Sequence, residues 1–461
     1  MLNTSIIYKS LTNIYRIAFI PFLRKEFLKH EKELRYNEKI SYDELNELIL
    51  IKLKYLVEHA YLNVPFYRNR YRSIGFEPGD LKELDDFRKL PILIREDIKL
   101  HYDEMVAENI NKSRLVPVST GGSSGTPIKV YHDRSSDNMM RAIESRVLRW
   151  WNVSRWDRAV RIYRIPDNIH NQEFTNFSWF SRFTSRSAIL NASLMTPKNM
   201  LDFFKFLENF RPTYLYGYVG GIEAFANFIL DNHLHRSTNL MLRAIGVTSS
   251  PVTALQRKII EKAFRAPVYD QYGSCEIFWY ASECKIRDGM HILSDIRYLE
   301  FLDGKLNPTS ENITGKIVAT DLLNYVFPLI RYANGDEGSY KSNRCSCGMS
   351  LPLMNNVKGR VSDTIKLKNG VIISGDYLTT IFDDFVDEVK QFQVVQKSID
   401  HIEIFVVLSN RSAFEIIKAK VLRRLLYDVK GLVKVSFIEK EFIPHDRGKF
   451  KYIISELQGN K

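Results

Sequence analysis

Cysteine is scarce in this chain: four in 461 residues, at positions 275, 284, 345 and 347. So few thiols, in two clusters, cannot staple a disulfide framework and point to a reducing, cytoplasmic setting. Long apolar runs are missing as well. The longest clean one near the start, Ile17 to Leu23, contains Pro21 and falls far short of the roughly 20 residues a membrane-spanning helix needs. No charged-then-apolar leader with a small-residue cleavage site precedes it. There is no internal repeat and no low-complexity segment, which removes the solenoid and linker classes. No helix-turn-helix, finger or aromatic RNA-binding pattern is present, so no nucleic-acid partner is expected.

What is present fits a soluble globular protein. Hydrophobic residues make up 45% and charged residues 26%, and the length suggests two or three domains. A net charge of +12 favours anionic partners such as nucleotides, CoA-like substrates or acidic lipid. Residues 1–40 carry eight Lys or Arg against four Asp or Glu, interleaved with Ile6, Tyr8, Leu11, Tyr15, Phe19, Phe22, Phe27 and Leu28. Two readings stand for this basic amphipathic extension. It touches a membrane face as a peripheral surface helix, or it packs its apolar stripe on the body of the protein.

The order of local patterns defines the architecture. Ser41-Tyr42-Asp43-Glu44 is a capping box, followed by apolar residues at helical spacing through Leu56. The segments 59–67 and 90–97, with Pro65 and Pro91, read as connectors between helices. Helices are expected near 137–150, 198–210, 219–232 and 252–264, alternating with strands at 159–164, 214–218, 243–247 and 267–271. Such alternation predicts an α/β domain with covered sheets. Further strands are expected at 291–302, 315–320 and 326–332. Beyond Gly359 come strands at 391–397 and 401–408, a helix at 412–428 and a strand at 433–438, a small α/β domain behind a hinge at 359–363. The chain thus divides into an extension at 1–40, a large domain at 41–358 and a small mobile domain at 359–461.

Five short stretches carry chemistry. Ser119-Thr120-Gly121-Gly122-Ser123-Ser124-Gly125-Thr126-Pro127 holds three glycines and small hydroxyls, which turn backbone N–H groups toward one concavity and suit phosphate oxygens. It lacks the Gly-Lys-[Ser/Thr] ending of a P-loop, and alone it is also an ordinary flexible loop. Tyr272-Gly273-Ser274-Cys275-Glu276 follows a strand, where an open α/β sheet places ligand and metal contacts. The segment from Pro328 to Asp336 ends in a turn whose acid can accept from sugar hydroxyls. Gly359-Arg360-Val361-Ser362-Asp363 lies at the hinge, and Pro444-His445-Asp446-Arg447-Gly448-Lys449 puts a lysine on a glycine-containing loop.

This order resembles the adenylate-forming superfamily, and within it the phenylacetate-CoA ligase family with its CapK-type capsular-polysaccharide branch. The early segments Asn63-Val64-Pro65-Phe66-Tyr67 and Leu90-Pro91 are similar too, so the resemblance covers about residues 45–455. It implies ATP-dependent conversion of a carboxylic acid to an acyl-adenylate, then transfer to a thiol, with CoA, a carrier protein or a sugar amine as acceptor. It implies that Thr120, Gly121, Gly122, Ser123, Ser124, Gly125 and Thr126 hold phosphates beside Tyr272, Gly273 and Ser274. Glu276 would hold Mg²⁺, Asp336 the ribose with Arg360 nearby, and Lys449 the reacting carboxylate and α-phosphate. Cys275 departs from the family's Ser or Thr. A thiol is a weaker donor, and a half-buried packing role is expected for it.

Cys284, His291, Cys345 and Cys347 form a second constellation, a C-x-C-G knuckle with a distant Cys and His, suited to tetrahedral structural zinc. Reduced thiols with a surface histidine are the alternative. Tyr216, Tyr218, Phe278, Trp279 and Tyr280 are aromatic candidates for the acyl site, although core packing explains them as well. The rival to an enzyme is a basic, zinc-bearing interaction protein that keeps only the fold.

Overall fold

The computed structural model describes residues 21–119, 128–163, 187–191, 197–236, 238–357, 365–368, 372–373, 378, 382, 385, 388–429, 433–444 and 452–458. The first helix, α1, spans Pro21–Asn37 and the second, α2, Tyr42–Asn63. The predicted capping box sets the start of α2. The Ser41 hydroxyl accepts from the Glu44 N–H, and the Glu44 carboxylate accepts from the Ser41 N–H at 2.7 Å. Helices α3 (Pro65–Ser73) and α4 (Arg95–Leu100) correct the reading of 59–67 and 90–97 as connectors. Pro65 stands in the first turn of α3, where a missing N–H costs nothing, so it starts a helix instead of separating two.

The amphipathic extension, over its described part, packs on the body. Phe27 and Leu34 of α1 are buried, and Asn138 and Ser145 of α5 (Asp137–Trp150) donate to Glu26 and Glu31. Residues 1–20 lie outside the described residues. No described helix is long and apolar enough to cross a membrane.

A two-stranded ribbon, β1 (Leu115–Ser119) with β2 (Lys129–Asp133), flanks the glycine loop in sequence. The central sheet uses β3 (Ala159–Tyr163), β4 (Ser187–Asn191), β5 (Tyr214–Tyr218), β6 (Ala244–Thr248), β7 (Val268–Gly273), β8 (Trp279–Glu283) and β9 (Met290–Ile292). With the short β13 (Leu353–Met354) its order is β13-β9-β8-β7-β6-β5-β3-β4. Strands β3 to β7 pair in parallel through α6 (Pro197–Phe210), α7 (Val219–Asp231) and α8 (Ala254–Phe264), as parallel pairing requires crossovers. Strand β7 is the turning point, parallel to β6 and antiparallel to β8.

A second sheet holds β10 (Arg297–Leu302), β11 (Gly315–Asp321) and β12 (Tyr332–Gly338). The run 291–302 is therefore two strands, and the strand expected at 326–332 lies six residues later. The apolar segment from Val326 to Ile330 is buried, but side chains take two of its N–H groups. Phe327 donates to Asn324 Oδ1 and Ile330 to the Tyr67 hydroxyl. Hydrophobicity placed that segment inside; its polar partners made it a loop.

The C-terminal unit begins with the hairpin β14 (Ile365–Lys366) and β15 (Ile372–Ile373). It continues in a four-stranded sheet ordered β18-β17-β16-β19, from β16 (Val389–Ser398), β17 (His401–Leu408), β18 (Lys434–Glu439) and β19 (Ile453–Ser455). Helix α9 (Phe414–Val429) covers it, with Val421 and Leu425 buried. The expected hinge, including Arg360 and Ser362, falls in 358–364, outside the described residues. The core of β3 to β7 is continuous with that of this unit, Phe225 and Ile260 belonging to the same apolar cluster as Phe392, Ile404 and Val421.

Arg146 of α5 fastens the N-terminal helices to the sheet. Fully buried, it donates to both carboxylate oxygens of Asp295 at 2.8 Å and to the Leu34 carbonyl at 2.6 Å. Asn37 and Lys52 complete the shell on Asp295, at its carboxylate and its carbonyl. Removing one partner of such a pair leaves an uncompensated buried charge. Arg146→Met should therefore lower unfolding free energy by about 3–5 kcal/mol in urea melts. A loss below about 1 kcal/mol, the range of an exposed surface pair, would show that the pair is not what holds α1.

Candidate functional site

Two of the chemistry-bearing stretches meet at the C-terminal end of β7. Tyr272 and Gly273 are its last residues, a small correction to a reading that placed them after the strand. Only glycine fits at 273, because an added Cβ would lie 2.2 Å from the Phe278 carbonyl oxygen. That close approach closes a tight loop in which Ser274 N–H donates to the Ile277 carbonyl and Ile277 N–H to Ser274 Oγ. Ser274 Oγ also lies 3.1 Å from the Tyr280 hydroxyl. The loop turns the Glu276 carboxylate inward and leaves Cys275 exposed, in contrast to the half-buried thiol expected.

The partner stretch is β12, where Asp336 lies within a bulged strand and not in a turn. Lys316 pairs with Glu337 and Val318 with Ala333, so Asn334, Gly335 and Asp336 stand opposite Ile317 alone. Gly335 accepts the φ of +88° that this bulge imposes. The bulge brings Asp336 Oδ2 to 2.9 Å from the Tyr272 hydroxyl, which donates to it. Asn334 Nδ2 donates to the same oxygen and to the Tyr272 hydroxyl, at 3.0 and 2.6 Å. At the start of the same strand, the Tyr332 hydroxyl donates to Glu276 Oε1 at 3.3 Å, and an Arg95 guanidinium nitrogen lies 4.0 Å from it. Burial, with the Asp336 charge beside it, pushes the Tyr272 hydroxyl well above its ordinary value, so it remains a donor.

Sequence reasoning therefore named Tyr272, Gly273, Ser274, Cys275, Glu276 and Asp336 as neighbours, and the fold brings them together. It missed four participants. Tyr332 and Asn334 stood inside the stretch already singled out, and Arg95 inside a segment read as a connector. His132 of β2 reaches the loop from 143 residues away, its Nε2 3.4 Å from the Cys275 carbonyl and its ring stacked on Phe278 at 4.6 Å. Burial holds His132 below its ordinary value, toward the neutral imidazole. The alternation along Lys129–Asp133, which follows the glycine loop, is the signal that could have found it. Thr120, Gly121, Gly122, Ser123, Ser124, Gly125, Thr126, Arg360 and Lys449 lie outside the described residues.

The aromatic candidates cluster at the same sheet end. Tyr216 stacks on Trp279 with ring centroids 6.1 Å apart, and its hydroxyl donates to Gln271. Tyr218 meets Tyr163 edge-on at 4.9 Å. Tyr280 is fully buried against Tyr272 and belongs to the wall of the site. Beneath them Asp270 is buried beside Glu283, and desolvation followed by that like charge pushes its carboxyl up to about 7. Arg257 answers Glu283 in bidentate fashion at 2.9 and 3.0 Å.

The cysteines and histidine also converge. Cys284 follows β8, His291 lies on β9, and Cys345 and Cys347 stand in the turn leading to β13. Their four ligand atoms lie within 4.8 Å of one another. Cys284 Sγ is 3.6 Å from Cys345 Sγ, and Cys347 Sγ is 3.3 Å from His291 Nε2. Tetrahedral Zn–S bonds of about 2.3 Å would separate two sulfurs by roughly 3.8 Å, so the cluster is near ligand geometry. His291 Nδ1 lies 3.1 Å from the Leu351 carbonyl, a partner that takes the Nδ1 proton and leaves Nε2 as the lone-pair nitrogen facing the thiols. Ile286 N–H donates to Cys284 Sγ, a further support for a thiolate. Burial pushes the Cys347 thiol up to about 12, so binding a cation here releases protons.

Residues 365–456 match the CapK C-terminal domain family. Protein CapK of Staphylococcus aureus is 24% identical over 440 residues, 92% of each chain. A phenylacetate-coenzyme A ligase of Escherichia coli K12 is 26% identical over 65% of this chain and 68% of its own. A crystal structure of 2-hydroxyisobutyryl-CoA ligase in the postadenylation state, with R3-HIB-AMP, superposes with a TM-score of 0.77 at 19% identity, covering 91% of both chains. The chain has the adenylate-forming fold and resembles CapK and the phenylacetate-coenzyme A ligases. The same ligase in its thioesterification state, with 2-HIB-AMP and CoA, gives 0.62 over 91% of this chain. The junction of β7 and β12 brings the stretches Tyr272–Glu276 and Arg331–Asp336 together.

Proposed function

We propose that this chain is an ATP-dependent acid-activating ligase, forming an acyl-adenylate and passing the acyl group to the thiol of CoA. The observation that carries the reading is the double link between β7 and β12, Tyr272 to Asp336 and Tyr332 to Glu276. It assembles an acid for ribose hydroxyls and an acid for a cation at one sheet end, where open α/β sheets bind ligands. The similarity to phenylacetate-coenzyme A ligases supports the reaction class, and the similarity to CapK supports a place in cell-surface polysaccharide synthesis. In the first step a carboxylate oxygen bonds to the α-phosphorus of ATP and pyrophosphate leaves. In the second the thiol loses its proton, sulfur bonds to the acyl carbon, and AMP departs.

Both steps join anionic partners, so the protein's contribution is positioning and charge neutralisation. Glu276 offers a hard carboxylate oxygen, which fits Mg²⁺, an ion that keeps several of its own waters. When bound, the ion supplies positive charge at the phosphates. Tyr332 and Arg95 orient the Glu276 carboxylate, Asp336 accepts from the ribose, and Tyr272 and Asn334 fix Asp336. The stretch Thr120 to Thr126 and Arg360 are assigned to the nucleotide, and Lys449 to the reacting carboxylate, by their sequence positions. The C-terminal unit stands in an orientation for adenylation, supported by the higher TM-score against the postadenylation state.

ATP–pyrophosphate exchange with a panel of carboxylic acids tests the reading and separates an enzyme from a non-catalytic binder. At least one acid should support exchange, and Glu276→Gln should slow it by about 10²-fold or more, as loss of an electrostatic group does. The same variant should spare thioester formation from pre-made acyl-adenylate. Equal losses in both steps would contradict the role given to Glu276, and a carrier-protein or amine acceptor would appear as exchange without CoA turnover.

A second reading concerns Cys284, His291, Cys345 and Cys347, which we assign to a structural zinc ion on the strength of their converging ligand atoms. Four protein ligands leave no open position, so the ion would tie the β8–β9 connection to the turn before β13. Protein purified without added zinc should carry about one equivalent by elemental analysis. Cys345→Ser together with Cys347→Ser should lose both metal and thermal stability. Repeated metal-free preparations of undiminished stability would overturn the assignment.

A further inference from the structure

Glu223 of α7 is a buried acid that neither reaction step uses. It is 2% exposed, in a helix whose other buried side chains, Val219, Ile222, Phe225, Ala226 and Ile229, are all apolar. Its Oε2 accepts two hydrogen bonds of different origin. Gln256 Nε2, on α8 of the large domain, donates at 2.8 Å. The Tyr452 hydroxyl, from the C-terminal unit, donates at 2.7 Å. Burying a carboxyl costs several kcal/mol unless donors meet it, on the order of the penalties for unpaired buried polar groups. Tyr452 is thus needed by Glu223 whenever the two units are together.

Tyr452 is itself fixed from its own side. Its carbonyl accepts from the Val394 N–H at 2.7 Å, the bond that opens the pairing of β16 with β19, and its ring lies 4.9 Å from that of Phe392. Desolvation pushes its hydroxyl well above the ordinary value, so it is the donor throughout the working pH range. Tyr452 immediately precedes β19, so whatever fixes it on α7 fixes the edge of the C-terminal sheet against the large domain. Apolar contact between the units is non-directional and permits many orientations. A hydrogen bond from one hydroxyl to one buried carboxylate permits few.

We propose that Glu223 is the docking point for Tyr452 and, through it, a positioning residue that holds the C-terminal unit in the orientation for adenylation. The inference rests on the ligase reading for its second half only. Docking itself is a property of the ligand-free protein. In the thioester-forming orientation the contact would break, and both groups would regain water. Gln256 stays on the same domain as Glu223 and keeps the side chain in place for redocking.

Hydrogen–deuterium exchange on the full chain, followed by timing of the two half-reactions, tests both halves. Tyr452→Phe keeps the ring and removes the donor. It should raise exchange in the peptide covering Val219–Asp231 and slow pyrophosphate exchange by about tenfold, the equivalent of one buried hydrogen bond. Thioester formation from synthetic acyl-adenylate should be unchanged or faster. Glu223→Leu should behave like Tyr452→Phe, whereas Glu223→Gln, which retains an acceptor oxygen, should preserve the protection. A structural role alone would slow both half-reactions together. Unchanged protection of Val219–Asp231 in Tyr452→Phe would overturn the docking point, and an unchanged ratio of half-reaction rates would overturn the positioning role. If the parent protein adenylates no acid yet loses protection in Tyr452→Phe, the ligase reading fails, the positioning role falls with it, and the docking point stands.

Discussion

The site depends on one buried ion pair, Arg331 with Glu300. Arg331 Nε and Nη2 each donate to a Glu300 oxygen at 2.9 Å, and Nη1 reaches the carbonyls of Arg88 and Leu90. Its own backbone sits at φ +51°, a left-handed conformation that a side chain other than glycine adopts only when its surroundings hold it there. The Thr320 hydroxyl accepts from its N–H and completes the restraint. Arg331 is the residue immediately before β12, so this cluster fixes the register from which Tyr332, Asn334 and Asp336 project. In the bridge between Leu93 and Tyr332 it also joins the segment leading into α4, which supplies Arg95, to the same strand. Arg331 is thus the frame of the site, five residues before Asp336.

With β12 held, the rest follows from geometry at a sheet switch. Strand β7 ends where parallel pairing gives way to antiparallel pairing, so its terminal loop has space on one side and rigid neighbours on the other. Gly273 allows that loop to fold back on Phe278, and the fold-back buries Glu276 instead of exposing it. The Cys-His cluster lies toward the β13 edge of the same sheet, where β9 and β13 are only three and two residues long. Strands this short gain little from their own ladder, and a metal tie there would substitute for missing pairing. The polar contact of Tyr452 with Glu223 plays the corresponding part between the units, directional where the surrounding packing is not.

Much of this was legible in the sequence because its causes are local. The Ser41 capping box, the strand Tyr214–Tyr218 and the helix Asp137–Trp150 are each decided by residues within a few positions of one another. The convergence of Cys284, His291, Cys345 and Cys347 was legible because few residue types ligate zinc, so a C-x-C-G knuckle with a distant Cys and His draws attention as a set. The segment 326–338 was misread because its apolar half looks like a strand, whereas its N–H groups go to Asn324 and Tyr67. The bulge that aims Asp336 depends on the register of β11, which no local pattern carries. His132 and Arg95 join the site only through tertiary pairing, and Glu223 looked like one polar residue in a helix until Tyr452 was placed against it.

The central claim is that an acid carboxylate attacks the α-phosphorus of ATP at the β7–β12 junction. Isotope transfer tests it most directly: an accepted carboxylic acid labelled with ¹⁸O in both carboxyl oxygens, incubated with ATP and CoA, followed by mass spectrometry of the nucleotide and phosphate products. One labelled oxygen should appear in AMP, because the carboxyl oxygen that bonds to phosphorus leaves with it when sulfur takes the acyl group. Label in inorganic phosphate with ADP as product, or product formed with unlabelled AMP, would contradict the account.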